Sequence, residues 1–168
     1  KVLATYHKQA LPNYSVFDEE RYFDAGDTPL IFSHAGTKFG VLICADGWEA
    51  GPAQKAKQAG AEFLLALNAS PYHMDKLETR YDVIAARAKE NALPIIYANL
   101  VGGQDELVFD GASFVLDKAG DVTQQLPAFA EALETVEIKN QQPVETKISK
   151  NNALEANVYA ALDRKSHV

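Results

Sequence analysis

The residue best suited to nucleophilic chemistry is the single cysteine, Cys44, which ends the apolar run GVLIC and is followed by ADGWE. A strand that stops at this residue and then turns sharply presents the side chain at the carboxyl edge of a sheet, where open α/β sheets place their sites. Free cysteines are more often small buried hydrophobes than nucleophiles, so both roles stay open from this position alone.

Lys8 is the candidate cation beside this thiol. A neighbouring cation or base makes a thiol a better nucleophile because it favours the thiolate. Lys8 follows the extended run KVLATY and precedes a proline-containing loop, which can bring it to the same sheet edge as Cys44. A solvated surface charge is the alternative that holds for most single lysines.

Other catalytic chemistries have less support in the sequence. No Gly-x-Ser-x-Gly turn occurs, so the strained serine of that motif is excluded. A cysteine–histidine protease stays open by spacing, although no local signature supports it. No metal site is predicted, because the histidines lack metal-ligand spacing; they are His7, His34, His73 and His167.

The composition is that of one ordinary globular domain. The chain has 168 residues, of which 47% are hydrophobic and 23% charged, and both fractions are typical. Its net charge of −7 argues against a nucleic-acid partner, and no apolar run of about 18 residues suggests a membrane span. One cysteine excludes an internal disulfide and fits a reducing compartment, so we expect a cytoplasmic protein.

Apolar runs alternate with helical patterns along the chain. This alternation predicts an α/β layered sheet with helices packed outside, in which the central runs are strands buried on both faces. A polar, turn-rich segment near the end is expected to be a linker. The predicted elements are a hairpin from LIFSH (30–34) to FGVLICA (39–45), helices over 52–60 and 75–91, strands over 62–70, 93–101, 111–117 and 121–126, the linker over 140–152, and a final helix over 154–162.

Four sequence strings occur in the order typical of one family. YHKQALPNYSVFDEERYF (6–23) resembles the lysine motif of the nitrilase superfamily, GVLICADGWE (40–49) its nucleophile motif, and NASPYHMDK (68–76) the segment after the next strand. VGGQDELVFDGASFVLD (101–117) is the most specific string and resembles the glutaminase domains of glutamine-dependent NAD synthetases. The resemblance extends over residues 1–139.

The resemblance implies part of a nitrilase-like four-layer α-β-β-α sandwich that carries a Glu-Lys-Cys triad. Cys44 would attack the side-chain amide of glutamine and form a thioester; ammonia would leave, and water would release glutamate. Lys8 and the backbone N–H of Ala45 would donate to the oxyanion, and one such fixed donor is worth about 3–4 kcal/mol of barrier. Glu19 matches a supporting carboxylate that orients Lys8 or a water.

The same resemblance implies a glutamine-binding set. Tyr14, Ser70 and Lys76 match positions that line the substrate site, and Trp48 matches its aromatic wall. Core packing is the alternative for Tyr14 and Trp48, and a surface charge is the alternative for Lys76. Ala45 departs from the many relatives that carry an acidic residue there, which puts one substrate contact in doubt but leaves the chemistry intact.

Two parts of the family pattern are not found in this sequence. The general base of the family is a glutamate well upstream of the lysine motif, and none of the seven residues before Lys8 is acidic. We therefore expect residues 1–139 to be the C-terminal part of the glutaminase domain, with its N-terminal portion missing. No Ser-Gly-Gly-x-Asp-Ser string occurs, so the synthetase domain, with its ATP and Mg, is also expected to be absent. Residues 153–168 would start the helix leading to it, and DRKSHV would be a truncation or a foreign tail.

The leading functional hypothesis is glutamine hydrolysis that supplies ammonia for ATP-dependent NAD synthesis from deamido-NAD. Its expected partners are glutamine, the synthetase domain of the same full-length chain, and further copies in a homo-oligomer; no cofactor is expected in this part. Two alternatives stay open: a free-standing nitrilase-superfamily amidase or carbamoylase, and a non-catalytic fragment or interaction module.

The unmatched base leads to a first prediction: this 168-residue chain, taken alone, is an inactive glutaminase. The thioester route needs a base that takes the thiol proton and later activates water. A glutamate-release assay on the purified chain, alone and mixed with the upstream segment, measures this. Turnover by the chain alone, at a rate comparable to that of the intact domain, would contradict the prediction.

Overall fold

The fold is built on one six-stranded mixed sheet. A computed structural model describes residues 1–165. Ten strands and three α-helices follow one another along this part of the chain. These elements are β1 (Ile31–His34), β2 (Thr37–Ile43), α1 (Ala50–Gln58), β3 (Phe63–Asn68), α2 (Lys76–Asn91), β4 (Ile95–Asn99), β5 (Val101–Gln104), β6 (Leu107–Asp110), β7 (Phe114–Leu116), β8 (Val122–Gln125), β9 (Ile138–Lys139), β10 (Gln142–Pro143) and α3 (Leu154–Lys165).

The main sheet has the strand order β1-β2-β3-β4-β7-β8. Its central strands β2, β3 and β4 run parallel, and the outer strands β1, β7 and β8 are antiparallel to their neighbours. Two parallel pairs need crossover connections, and α1 and α2 supply them. The α/β architecture predicted from the alternation of the sequence is therefore present.

The predicted hairpin at the start of the sheet is also present, with a tight turn. His34 pairs with Thr37, and the two residues between them, Ala35 and Gly36, have φ values of +48° and +82°. Positive φ at both central residues is the pattern of a type I′ turn, whose twist matches that of the flanking strands.

Helices α1 and α2 cover one face of the sheet. The core on this face contains Leu42, Leu64 and Ile95 from the strands and Ile84 from α2, all of them almost fully buried. The approach of α1 to β2 requires Gly40, because a Cβ there would lie 3.1 Å from the methyl groups of both Ala56 and Ala61. Close packing of this kind leaves no room for a side chain.

The opposite face of the sheet is covered only in part, so the prediction of strands buried on both faces is wrong for this chain. Val41, Leu65 and Ile96 are partly exposed there, and Leu67 is 54% exposed. Side chains alternate between the two faces of a strand, and α1 and α2 pack only against the side that carries Leu42.

Two segments early and midway in the chain differ from the sequence-based expectation. The extended run at residues 1–6 forms no strand within the described part of the chain, because β-favouring residues become a strand only when a partner pairs with them. The hairpin of β5 and β6 was not predicted; its glycines, Gly102 and Gly103, weaken the strand signal of the sequence.

The segment predicted as a linker, 140–152, lies along the sheet. It contributes β10 to a two-stranded hairpin, and the N–H groups of Thr146 and Ser149 donate to the carbonyls of Thr123 and Gln125 in β8, at 2.9 and 3.1 Å. Composition alone does not reveal such backbone pairing.

The domain boundaries remain predictions, and residues 166–168 of the DRKSHV segment lie outside the described residues. No helix within 1–165 is long and apolar enough to span a membrane.

Candidate active site

Cys44 occupies a strained turn at the end of β2. The strand stops at Ile43, and Cys44 starts a single 3-10 turn that ends at Gly47. The φ angle of Cys44 is +44°, a left-handed conformation that costs a non-glycine residue about 1–2 kcal/mol. Such strain persists where the surroundings hold it in place, and it is commonest at functional sites. The sharp turn expected from the sequence is therefore present.

Lys8 and Glu19 form a close, partly buried ion pair. The Lys8 Nζ donates to Oε2 and Oε1 of Glu19 at 2.6 and 2.7 Å, and the Lys8 side chain is only 14% exposed. Lys8 is thus not the solvated surface charge that was its alternative. Since Glu19 grips the ammonium with both oxygens, its position fits the orienting role that the sequence suggested.

The Cys44 thiol experiences opposing influences. Burial raises its pKa above the ordinary value, and this is the largest effect. The positive charge of Lys8 is the strongest influence in the other direction, followed by a hydrogen bond from the backbone N–H of Ala69 and, more weakly, by Lys76. The negative charge of Glu19 acts with burial. Lys8 therefore lies near enough to Cys44 to favour the thiolate.

A cavity of about 190 Å³ opens onto the thiol. It gathers every residue that the sequence suggested for glutamine binding, together with Cys44. Lys8 and Glu19 line a neighbouring cavity of about 400 Å³, on which Ile43 also borders. The walls of the first cavity are Pro12, Tyr14, Phe17, Cys44, Ala45, Trp48, Ser70, Pro71 and Lys76.

Lys76 is the cation of this cavity. It is the first residue of α2, and its Nζ lies 5.7 Å from the centre of the Trp48 ring, a distance typical of a cation–π contact. Burial, and then the positive charge of Arg80, lower its pKa. Tyr14 is 65% exposed and meets Phe17 edge-on at 6.1 Å, so core packing does not account for it.

A buried ion pair behind the cavity was missed by sequence reasoning. Arg80 of α2 is fully buried and donates to both oxygens of Asp110, at 2.9 and 2.8 Å. It also donates to the carbonyls of Ser70 and Pro71, and Asn99 binds the same segment from β4. These bonds fix the loop that lines the cavity. A signal was present, because Arg80 falls between Leu77 and Ile84 on the apolar stripe of the helix.

Asp46 was also missed as a separate functional residue, although it belongs to the quoted nucleophile motif. It is fully buried, and its carboxylate accepts hydrogen bonds from Tyr6, Gln9, Ala10 and Ile43. Among residues 1–165, no group of three His, Cys, Asp or Glu side chains could hold a metal ion.

A sheet strand that ends in a strained cysteine, together with a partly buried lysine–glutamate pair, is typical of an α/β protein of nitrilase-like fold. Residues 1–147 match the family described as carbon-nitrogen hydrolase, and the chain belongs to this family. The family resemblance of the four sequence strings is thereby confirmed.

Curated relatives narrow the position of the chain within the family. A glutamine-dependent NAD(+) synthetase of Acinetobacter baylyi is 42% identical over 163 residues, which are 96% of this chain and 30% of that protein. An enzyme of the same name from Aquifex aeolicus is 44% identical over 137 residues, 81% of this chain and 24% of its own length. The chain thus spans about a third or less of the length of these relatives.

Solved structures agree with this placement. The glutamine-dependent NAD+ synthetase of Acinetobacter baumannii, in complex with ADP, has a TM-score of 0.92 at 38% identity, over 98% of this chain and 32% of that one. An amidase from Nesterenkonia sp. AN1 has a TM-score of 0.66 at 31% identity, over 76% of this chain and 47% of that one; its active-site cysteine carries the acetamide moiety of fluoroacetamide. The predicted nitrilase-like fold class is confirmed.

The buried pair behind the cavity gives a stability prediction. Arg80→Met leaves the carboxylate of Asp110 buried without its partner, and we expect a loss of about 3–5 kcal/mol in the free energy of unfolding. Arg21→Met is the control, because Arg21 pairs with Asp18 at the surface, and this variant should lose about 1 kcal/mol or less. Urea unfolding measures both; equal losses would contradict the prediction.

The electrostatics of the Cys44 thiol give a third prediction. Lys8→Met removes the charge that most strongly opposes burial, so the pKa of Cys44 should rise. The rate of iodoacetamide alkylation should then fall at pH 7, and its pH midpoint should move upward. Lys57→Met, an exposed lysine on α1, should leave the midpoint in place. An unchanged midpoint in Lys8→Met would show that Lys8 does not act on the thiol.

Proposed function

We propose that this chain forms part of the glutamine-hydrolysing domain of a glutamine-dependent NAD synthetase. The observation that carries the proposal is that Cys44 and Lys76 line one cavity. Glutamine offers an amide for the thiol and a carboxylate for a cation. The names of the curated relatives support the assignment.

Substrate binding follows from the walls of the cavity. Lys76 pairs with the carboxylate of glutamine, and Trp48 and Tyr14 enclose its apolar stem. Ser70, which is buried and held by Arg80, offers a fixed polar contact. Ala45 offers a backbone N–H but no side-chain acceptor for the substrate ammonium, so in this chain that group is left to other partners.

The chemistry begins at the strained turn. The sulfur of Cys44 forms a bond to the amide carbon, and the carbonyl oxygen becomes an oxyanion that Lys8 and the N–H of Ala45 stabilise. The C–N bond then breaks and a proton passes to nitrogen. Ammonia leaves, and the acyl group remains on Cys44 as a thioester. Water attacks the thioester and releases glutamate together with the free thiol.

Glu19 holds Lys8 in this scheme. Both of its oxygens already accept from the Lys8 ammonium, which makes it a poor acceptor for the thiol proton. The general base is the upstream glutamate that the family resemblance implies.

In the whole enzyme the ammonia would pass to a synthetase domain that uses ATP and Mg to make NAD from deamido-NAD. A homo-oligomer and a cytoplasmic location complete the proposal.

A plain amidase is the second candidate, since the Nesterenkonia amidase shares the fold and a reactive cysteine. Lys76 argues against it. A cation half-buried over Trp48 suits a substrate that carries a carboxylate, and a simple aliphatic amide would leave this charge without a partner.

The proposed function gives a prediction for Cys44. In the full-length protein, Cys44→Ala should abolish glutamine-dependent NAD synthesis, because no thioester can form, and should leave ammonia-dependent synthesis largely intact. Assays of NAD formation with either nitrogen source measure this, and the ammonia reaction is the internal control for folding. Loss of both activities, or of neither, would show that the thiol does not have this role.

A further inference from the structure

The nucleophile turn (Cys44–Gly47) and the lysine segment (residues 1–29) meet at one buried carboxylate. Asp46 lies two residues after Cys44 and is fully buried. Its Oδ1 accepts from the backbone N–H groups of Gln9 and Ala10 at 2.9 and 2.8 Å. Its Oδ2 accepts from the Tyr6 hydroxyl and from the N–H of Ile43, both at 2.9 Å.

These four donors flank the two reactive residues in the sequence. Tyr6, Gln9 and Ala10 surround Lys8, and Ile43 directly precedes Cys44. The carboxylate therefore holds the backbone on both sides of Lys8 and fixes it against the strand that ends in the thiol. Asp46 itself touches neither the cavity nor the ion pair of Lys8 with Glu19.

Few other bonds hold the lysine segment in place. Within the described part of the chain, residues 1–29 make three hydrogen bonds to Asp46. Two more involve Lys55, whose Nζ binds Gln9 and the carbonyl of Asp27 at the exposed surface. Glu19 belongs to the same segment as Lys8, so their ion pair does not attach that segment to the sheet.

We propose that Asp46 is a positioning residue that sets the place of the Lys8 ammonium relative to the Cys44 sulfur. The proposal rests on the proposed function for its catalytic meaning, but the geometry it concerns can be measured without any substrate. An ionised carboxylate suits this role because it is an acceptor only. An amide of the same shape would point a donor at the donors of Tyr6 and Ile43, or at those of Gln9 and Ala10.

The test is a double-mutant cycle in the full-length protein, read by the pH dependence of Cys44 alkylation with iodoacetamide. Asp46→Asn should slow alkylation at pH 7 by about three- to tenfold and raise the pH midpoint, as Lys8→Met does, because a displaced ammonium no longer favours the thiolate. The double variant should resemble Lys8→Met alone, since Asp46 acts through Lys8. The matched control is Glu62→Gln, a carboxylate that accepts from the exposed N–H of Lys38.

A purely structural role gives a different pattern. In that case Asp46→Asn lowers the melting temperature but leaves the alkylation midpoint of the folded protein unchanged, which overturns the proposal. Full additivity of Asp46→Asn and Lys8→Met overturns it as well. If Asp46→Asn does not fold, Tyr6→Phe removes a single donor, and its midpoint should rise by a smaller amount; no rise overturns the proposal.

Activity assays separate this inference from the proposed function. Loss of glutamine hydrolysis in Asp46→Asn with retained ammonia-dependent synthesis supports both. If the wild-type protein does not hydrolyse glutamine but the alkylation cycle still shows the coupling, the proposed function fails and the positioning role stands. If the wild type hydrolyses glutamine and the cycle shows no coupling, only the positioning role fails.

Discussion

The site depends on the abrupt departure of the chain from the sheet at Cys44. A positive φ at a cysteine is unfavourable by itself, so the turn needs compensating bonds. Asp46 supplies one of them from inside the turn, because its carboxylate accepts the N–H of Ile43 just before the thiol. The turn that carries the sulfur and the bonds that hold the lysine segment therefore share one carboxylate, that of Asp46.

The walls of the cavity rest on a second buried carboxylate. Asp110 ends β6 and pairs with Arg80, whose remaining N–H groups fix the carbonyls of Ser70 and Pro71. Burying such a pair gives little net stability unless every lone pair and proton is matched, and here the loop carbonyls provide the match. The two carboxylates thus hold different parts of the cavity surroundings: Asp46 binds the chain next to Lys8 and Cys44, and Asp110 holds the Arg80 that fixes the loop lining the cavity.

The sequence predicted more of the sheet than of the polar network. Continuous apolar runs predicted the strands β2, β3 and β4, and helical periodicity predicted α2. These patterns are local because each element buries its apolar residues against the others. The hairpin of β5 and β6 was not predicted, because Gly102 and Gly103 weaken the strand signal of the sequence. The motif strings of the sequence predicted which residues line the cavity. The bonds from Tyr6 to Asp46 and from Arg80 to Asp110 could not be predicted, because these partners lie 40 and 30 residues apart along the chain and no local pattern encodes such pairings.

The proposed mechanism uses a base as well as a cation, and the balance of influences on the Cys44 thiol supports this. Burial and the negative charge of Glu19 together outweigh Lys8, the Ala69 N–H and Lys76, so the pKa of Cys44 lies above its ordinary value. This environment favours the protonated thiol over the thiolate. A protonated thiol resists oxidation and alkylation, both of which require the thiolate. In the proposed mechanism this proton is removed by a base, because the charge of Lys8 does not offset the effect of burial. The place of Lys8 beside Glu19 fits its proposed role at the later stage, in which negative charge develops on the substrate oxygen.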